Sequence, residues 1–331
     1  MKNLFKNVRV SLGENIREKP VFAMISHEYF APTTEDIEIE VWKGFDKTKD
    51  AISKDIESIK TWLKSQPHLP HTLSDKQIRS FLLLGKGSAE KIKPKIDMYY
   101  TMRSLYPDIF DRSHPFDQRM LEAKKYMYII PLPKRTSDHS RILVLKLKDE
   151  PDSSGMDPSA IFARLLNTTE VRLQEDFCSG HTVLFDMEHC KLQHVAKVTP
   201  TFIRSSYNIG EKALTTRVQG IHVINAPAFT ERLLVLVKSI VKPKMANRIF
   251  LHRDMESIIN SIDKNILPKD YGGNEKSLDE LEAEFDKKFE EYRSFFDRRV
   301  NERVNEQLRP AGMVNDDFLG YHGSFKKLAV D

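Results

Sequence analysis

The sequence predicts an α/β fold, a mostly parallel sheet flanked by helices and preceded by a small all-α module. Three observations predict it. Short apolar runs at 142–147, 181–185, 217–225 and 248–252 alternate with longer segments of helical period. Strands joined through helices imply right-handed crossovers and parallel pairing. Between residues 46 and 110 the apolar spacing is helical only, and from Leu278 a last amphipathic pattern begins.

Residues 1–45 hold little periodicity and several turn signals, among them Pro20 and the stretch Ala31-Pro32-Thr33-Thr34, and read as an irregular arm. Ile52, Ile56, Ile59 and Leu63 then recur on one helical face, and Pro67 and Pro70 end that helix. Ser74-Asp75 starts a second helix with Ile78, Phe81 and Leu82 on its buried side. A third runs from about Ser88 to Ser104 and stops before Pro107. Residues 46–110 therefore form a three-helix module, and the polar segment 111–125 connects it to the next part.

In the second part Ile142–Leu147 is a strand and 158–176 a helix with Pro158 at its tolerated first turn. His181–Phe185 is a strand, and 193–212 is helical but divided by Pro200. The strand 217–225 carries Val218, Ile221, Val223 and Ile224, the segment 229–241 is a very apolar helix, and 248–252 is the last strand. Leu281, Phe285, Phe289, Tyr292, Phe296, Val300 and Val304 keep a helical step, which predicts one long amphipathic helix over 278–308. The expected divisions are 1–45, 46–110, 111–275 and 276–331.

The 331 residues carry 52 basic and 48 acidic side chains. A net charge of +4 gives no dense basic face, so nucleic acid is not an expected partner. Cys178 and Cys190 do not make a disulfide framework, which points to a reducing compartment. The N-terminal residues show no signal-peptide pattern, and nowhere do about 18 apolar residues run together. A cytoplasmic monomer is expected.

The motifs of common catalysis are missing. His189, Cys190 and His194 cluster, but no second pair of ligands follows, so no metal is expected. The segment GKGS at 85–88 lacks the phosphate-loop glycine, Ser80 standing in its place. No GxGxxG or GxSxG is present. Neither an enzyme nor a cofactor is expected.

The strings QGIHVINAPAFT (219–230) and NILPKDYGG (265–273) resemble the CRAL-TRIO domain, the lipid-binding fold of the α-tocopherol and retinaldehyde carriers. WLKSQPHLPHTLSDKQIRSFLLLGKGS (62–88) resembles that family's N-terminal three-helix module, and GSFKKLAVD (323–331) resembles the ending of its invertebrate members. The resemblance covers roughly 46–331. It implies a carrier for a hydrophobic small molecule such as a retinoid, tocopherol, carotenoid or similar lipid, with transient contact to an anionic, phosphoinositide-bearing membrane. The alternative is a phosphoinositide-sensing membrane adaptor without a transported ligand.

Asn225-Ala226-Pro227 suits the entry to a helix, Asn satisfying free amides and Pro taking the first turn. The helix after it is apolar nearly all round. Read alone it is a core helix; the resemblance makes it a mobile gate over the ligand. Tyr271-Gly272-Gly273 reads as a tight turn that by resemblance braces the gate. By resemblance, too, the cavity walls are Phe162, Leu165, Leu166, Thr169, Phe185, Ile209, Leu214, Val218, Ile221, Val237, Ile240 and Val241, with Thr169 as polar handle. Arg217, Lys238, Lys244 and Arg248 are the residues implied to hold a phosphoinositide headgroup, or else they are ordinary solvated cations. Gln219 stands where the tocopherol-carrier branch has another basic residue. Leu214-Thr215 replaces an aromatic-Pro pair and His189 a glycine, so the identity of the ligand does not carry over.

Overall fold

The computed structural model describes residues 28–149, 153–214 and 217–310. The expected arm at 1–27 and the family-like ending at 323–331 lie outside the described residues, as does Thr215.

The first described helix corrects the reading of 1–45 as irregular. Helix α1 (Glu35–Lys43) starts at Thr34, whose hydroxyl accepts from the Ile37 amide, and has Glu35, Asp36 and Glu38 in its first turn. A side-chain cap and acids at the positive end of the helix dipole stabilise so short a helix. Its Val41 and Trp42 are buried, and its apolar residues Ile37, Ile39 and Val41 fall at a two-residue step that shows no helical period.

Helices α2 (Lys49–Lys64), α3 (Asp75–Leu84) and α4 (Ala89–Leu105) form the three-helix module, each capped by a hydroxyl, from Thr48, Ser74 and Ser88. Ser74 and Gln77 make a reciprocal capping box. A short turn α5 (Pro107–Phe110) and α6 (Gln118–Lys124) lead to the sheet. One continuous core runs from Trp42 of α1 and Ile59 and Phe81 of this module to Leu143, Leu166 and Val183 of the α/β part. The two parts are therefore packed as one body.

Five strands lie in the order β1 (Met127–Arg135), β2 (Arg141–Leu147), β3 (His181–Asp186), β4 (Val218–Ile224) and β5 (Ile249–Leu251). The β1–β2 pair is an antiparallel hairpin and the other pairs are parallel. β1 is a strand that the sequence reading did not recognise. Pro131 and Pro133 interrupt its pattern, and proline is tolerated in a sheet only at an edge, where this strand lies.

The crossovers are α7 (Pro158–Glu175), capped by Asp157; α8 (Leu192–Val195) with α9 (Pro200–Ile209), which continues as a π-helical turn Gly210–Leu214; and α10 (Thr230–Ile240) with α11 (Pro243–Ala246). After β5 come α12 (Met255–Ile259), α13 (Leu278–Glu291) and α14 (Arg293–Arg299). On one sheet face Ile142, Val144, Leu184 and Ile224 share a core with Leu281, Phe285 and Phe289 of α13. The other face looks toward α7, α9 and α10.

Two expectations near the gate are corrected. Asn225 does not cap a helix. It adopts a left-handed conformation (φ 49°) and donates from Nδ2 to Asp186 Oδ1 at 2.9 Å, while α10 begins only at Thr230 with no side-chain cap. Pro227 accordingly lies in the turn before α10. The Tyr271-Gly272-Gly273 turn does hold this region, because the Tyr271 hydroxyl donates to the other Asp186 oxygen at 3.0 Å. Gly272 is left-handed (φ 76°), and a Cβ at Gly273 would meet the Leu267 carbonyl oxygen at 1.8 Å.

The single helix expected over 278–308 is two helices. It breaks at Tyr292 (ψ 14°), whose hydroxyl donates to Glu175 at 3.0 Å. After α14 the chain turns back so that the Asn305 amide donates to the His68 carbonyl at 2.9 Å. Apolar spacing survives such a break, since both halves face the same core.

Glu170 of α7 joins these pieces. It is buried and accepts from Tyr99 Oη (2.6 Å), Arg103 Nη2 (2.6 Å) and Arg299 Nη2 (3.1 Å). Burial by itself would raise its pKa, but Arg299 and Arg103 hold it below the usual range. Asp176, bound by Arg141 and Arg172, is held at about 2 against the same burial effect. Glu170→Gln leaves the buried Arg103 without a counter-charge and leaves Arg299 with Glu302 alone, at 2.7 Å, and a loss of about 3–5 kcal/mol in urea unfolding is expected. Since both carboxylates have folded-state pKa values below their unfolded ones, their stabilisation is present above about pH 4–5. It is lost as the pH falls toward about 2, and melting temperature measured over that range should drop steadily.

Candidate ligand cavity

The sheet face away from α13 is not filled by side chains. A cavity of about 500 Å³ lies between it and α7, α9, the π-helical turn and α10–α11. Strand register builds its floor. Leu143, Val183, Ile221 and Ile249 stand in one row across β2–β5, with Leu145 and Phe185 in the next row. Because side chains alternate along a strand, all of these share one face. A second, almost wholly apolar chamber of about 280 Å³ adjoins the first and shares Leu145, Phe162, Leu165, Phe185 and Val237 with it.

Ten of the twelve anticipated wall residues line the larger cavity: Phe162, Leu165, Leu166, Thr169, Phe185, Leu214, Val218, Ile221, Val237 and Val241. Two do not. Ile209 is fully buried and packs in the main core. Ile240 is half-buried and lies off the inner stripe of α10, where Val237 and Val241 are four residues apart. Thr169 donates its hydroxyl proton to the Leu165 carbonyl at 2.9 Å, so toward the cavity it offers an acceptor.

The four cations do not converge as a group. Lys244 and Arg248 reach the cavity, Arg248 also donating to the Val218 carbonyl. Lys238 is exposed on α10 and is not part of the wall. Arg217 is spent elsewhere, donating to the Ser179 carbonyl at 3.1 Å and lying 5.7 Å from the Phe45 ring centre. Gln219 donates to Asp138 at 3.0 Å.

Several wall residues escaped the sequence reading. Lys242 pairs with Glu211 at 2.7 Å, and its amide donates to the Tyr207 hydroxyl at 3.3 Å, so the end of α10 is tied to α9 and the π-helical turn. No periodicity marks such a pair. Arg172 and His181 did carry a signal. Arg172 follows Thr169 by three residues on α7, and His181 precedes Val183 and Phe185 at the two-residue step of a strand. Burial, with the nearby Arg172 charge, pushes His181 down to about 3, so it is neutral.

Cys190 and His194 line the second chamber, and burial raises the Cys190 thiol to about 11. His194 Nδ1 accepts from the Lys191 amide at 3.1 Å. Among the described residues no three His, Cys, Asp or Glu side chains converge as a metal site.

Comparison with known proteins agrees with this architecture. Residues 48–120 match the Pinta-like, UBA domain family, and residues 125–273 match the CRAL/TRIO domain family. The chain is 22% identical to the human alpha-tocopherol transfer protein-like protein over 281 residues, 81% of each chain. It is 24% identical to Clavesin-2 of Rattus norvegicus over 275 residues, 80% of this chain and 84% of that one. With Clavesin-1 of Xenopus laevis it shares 24% identity over 230 residues, 68% of each. The parallel sheet lies within the match at 125–273, so these residues form a CRAL/TRIO domain, preceded by a helical module that matches the Pinta-like, UBA domain.

Proposed function

We propose that this protein is a non-enzymatic carrier that encloses one hydrophobic small molecule and releases it at membranes by moving α10. The observation that carries the reading is the cavity of about 500 Å³ between sheet and α10, in the size range of small-molecule sites. The CRAL/TRIO domain at 125–273 and the similarity to an alpha-tocopherol transfer protein-like relative support it. The adaptor alternative accounts for the exposed cations but gives no reason for an apolar chamber of this size.

Helix α10 has the make-up of a gate. Val237 faces the cavity, while Val235 and Leu236 on the other side are 72% and 37% exposed. Opening in water would expose a few hundred Å² of apolar surface, at about 25 cal/mol per Å². Contact with a bilayer removes most of that cost, because the opened face meets lipid. Lys238 and Lys244 are exposed and aid approach to an anionic surface, about 1 kcal/mol each. The proposed contact is peripheral, and no described helix is long and apolar enough to cross a membrane. Cys178 and Cys190 are free, which suits a reducing, cytoplasmic setting. The proposed carrier acts as a monomer.

Val218→Trp or Ile221→Trp should fill the cavity and abolish lipid copurification in native mass spectrometry, with the melting temperature little changed; unaltered one-to-one lipid in both variants would sink this placement. Transfer to vesicles containing phosphoinositide should be faster than to neutral ones, and the advantage should shrink with added salt. Lys238→Ala together with Lys244→Ala should remove the advantage. Arg248 is better left intact in that test, because it holds the Val218 carbonyl.

A further inference from the structure

The inner end of the cavity has a different chemistry from its walls. Thr169, Arg172 and His181 line it and also line a small recess beneath α3, beside Ser80, Asp176 and Cys178. His181 is only 6% exposed, yet among the described residues neither of its ring nitrogens has a hydrogen-bond partner. Its ring nitrogens are not sealed off but border the cavity, where a bound group can pair with them.

Arg172 is in a similar condition. Its Nε donates to Asp176 at 3.0 Å and its Nη2 to Cys178 Sγ at 3.5 Å, but Nη1 has no partner among the described residues. The local charge does not balance either. Arg141, fully buried, donates to the same Asp176 at 2.7 Å, so two guanidiniums share one carboxylate. The neighbouring Cys178 thiol is raised to about 11 by burial and by Asp176, and so supplies no second negative charge.

We infer that the ligand's polar end is a carboxylate seated at Arg172 Nη1 and His181, with its hydrocarbon tail along the apolar walls; the ligand class is a long-chain or polyene carboxylic acid. This rests on the carrier reading of the same cavity and narrows it. A carboxylate accepts from both unpaired groups, whereas an alcohol or ester satisfies them without supplying the missing charge. The head group lies inward, away from Lys244 of α11.

The full-length protein, stripped of lipid, is titrated with palmitic acid and with its methyl ester. Binding of the acid should be tighter by on the order of tenfold or more. With [1-13C]palmitate, the bound carboxyl resonance should stay at the carboxylate position at a pH where the acid in water has protonated, because a buried cation favours the charged form. His181→Leu removes an unpaired polar group from the interior, so the lipid-free variant should melt no lower than wild type while losing most of the preference for the acid. Equal affinity for acid and ester, or a carboxyl signal that titrates as in water, overturns the inference and leaves the carrier reading standing, since the ester still fills the cavity. A preference for the acid that survives in His181→Leu and vanishes in Lys244→Ala also overturns it, placing the head group at the outer end. If neither compound binds, the carrier reading falls and this inference with it.

Discussion

The structure depends on how Glu170 is satisfied. Its carboxylate sits in α7, against the sheet, and accepts from α4 through Tyr99 and Arg103 and from α14 through Arg299. The helical module, the α/β layer and the C-terminal helices meet at this one charge. A buried ion pair is weak evidence for stability in itself, since apolar groups of the same shape do as well. What it imposes is geometry, because Arg103 has no other carboxylate to reach and Arg299 must reach both Glu170 and Glu302. The two guanidiniums also lie over the Tyr99 ring, 4.3 and 4.1 Å from its centre. The helical module is thereby fixed against α7, and α7 is one wall of the cavity.

That anchoring bears on how a fold of this size keeps an open chamber. Side chains in a core are normally close-packed, and an unfilled space forfeits dispersion contacts. Here one sheet face is packed against α13 by Leu281, Phe285 and Phe289, and the three-helix module closes over α7. The cavity lies on the remaining side, where α10 has only Thr230 buried among its residues. Packing is dense around the frame and sparse along α10.

The attachment of α10 fits that division. Its entry is held firmly, because Asp186 accepts from Asn225 on one oxygen and from Tyr271 on the other. Its exit is held by the partly exposed Lys242–Glu211 pair and one amide bond to Tyr207. A solvent-accessible ion pair contributes little net stability, of the order of 0–1 kcal/mol. Helix α10 is thus held more strongly at its entry than at its exit.

How much of this could be read from residues alone differs by level. The strands expected at 142–147 and 181–185, the helix after Pro158 and the division at Pro200 follow from local rules of period and proline geometry, and the structure has them within a residue. Strand β1 was hidden, because whether Pro131 and Pro133 are tolerated depends on which strand becomes the edge. The break at Tyr292 was hidden because Phe285, Phe289 and Phe296 reach one core through two helices as readily as through one. For the cavity, residues known by resemblance to line such folds could be named, and ten of the twelve do line it. Ile209, Ile240 and Arg217 could not be sorted from them, since a side chain's direction at a helix or strand end is decided by what packs against it. Arg172 and His181 stood in the pattern with ordinary polar identities. Only the tertiary structure left them buried with unpaired N–H groups, because hydrogen-bond satisfaction is a property of the assembled neighbourhood and not of the chain. The sequence by itself determined the layers and their order. Which face stayed open, and what chemistry waits at its inner end, was decided by packing.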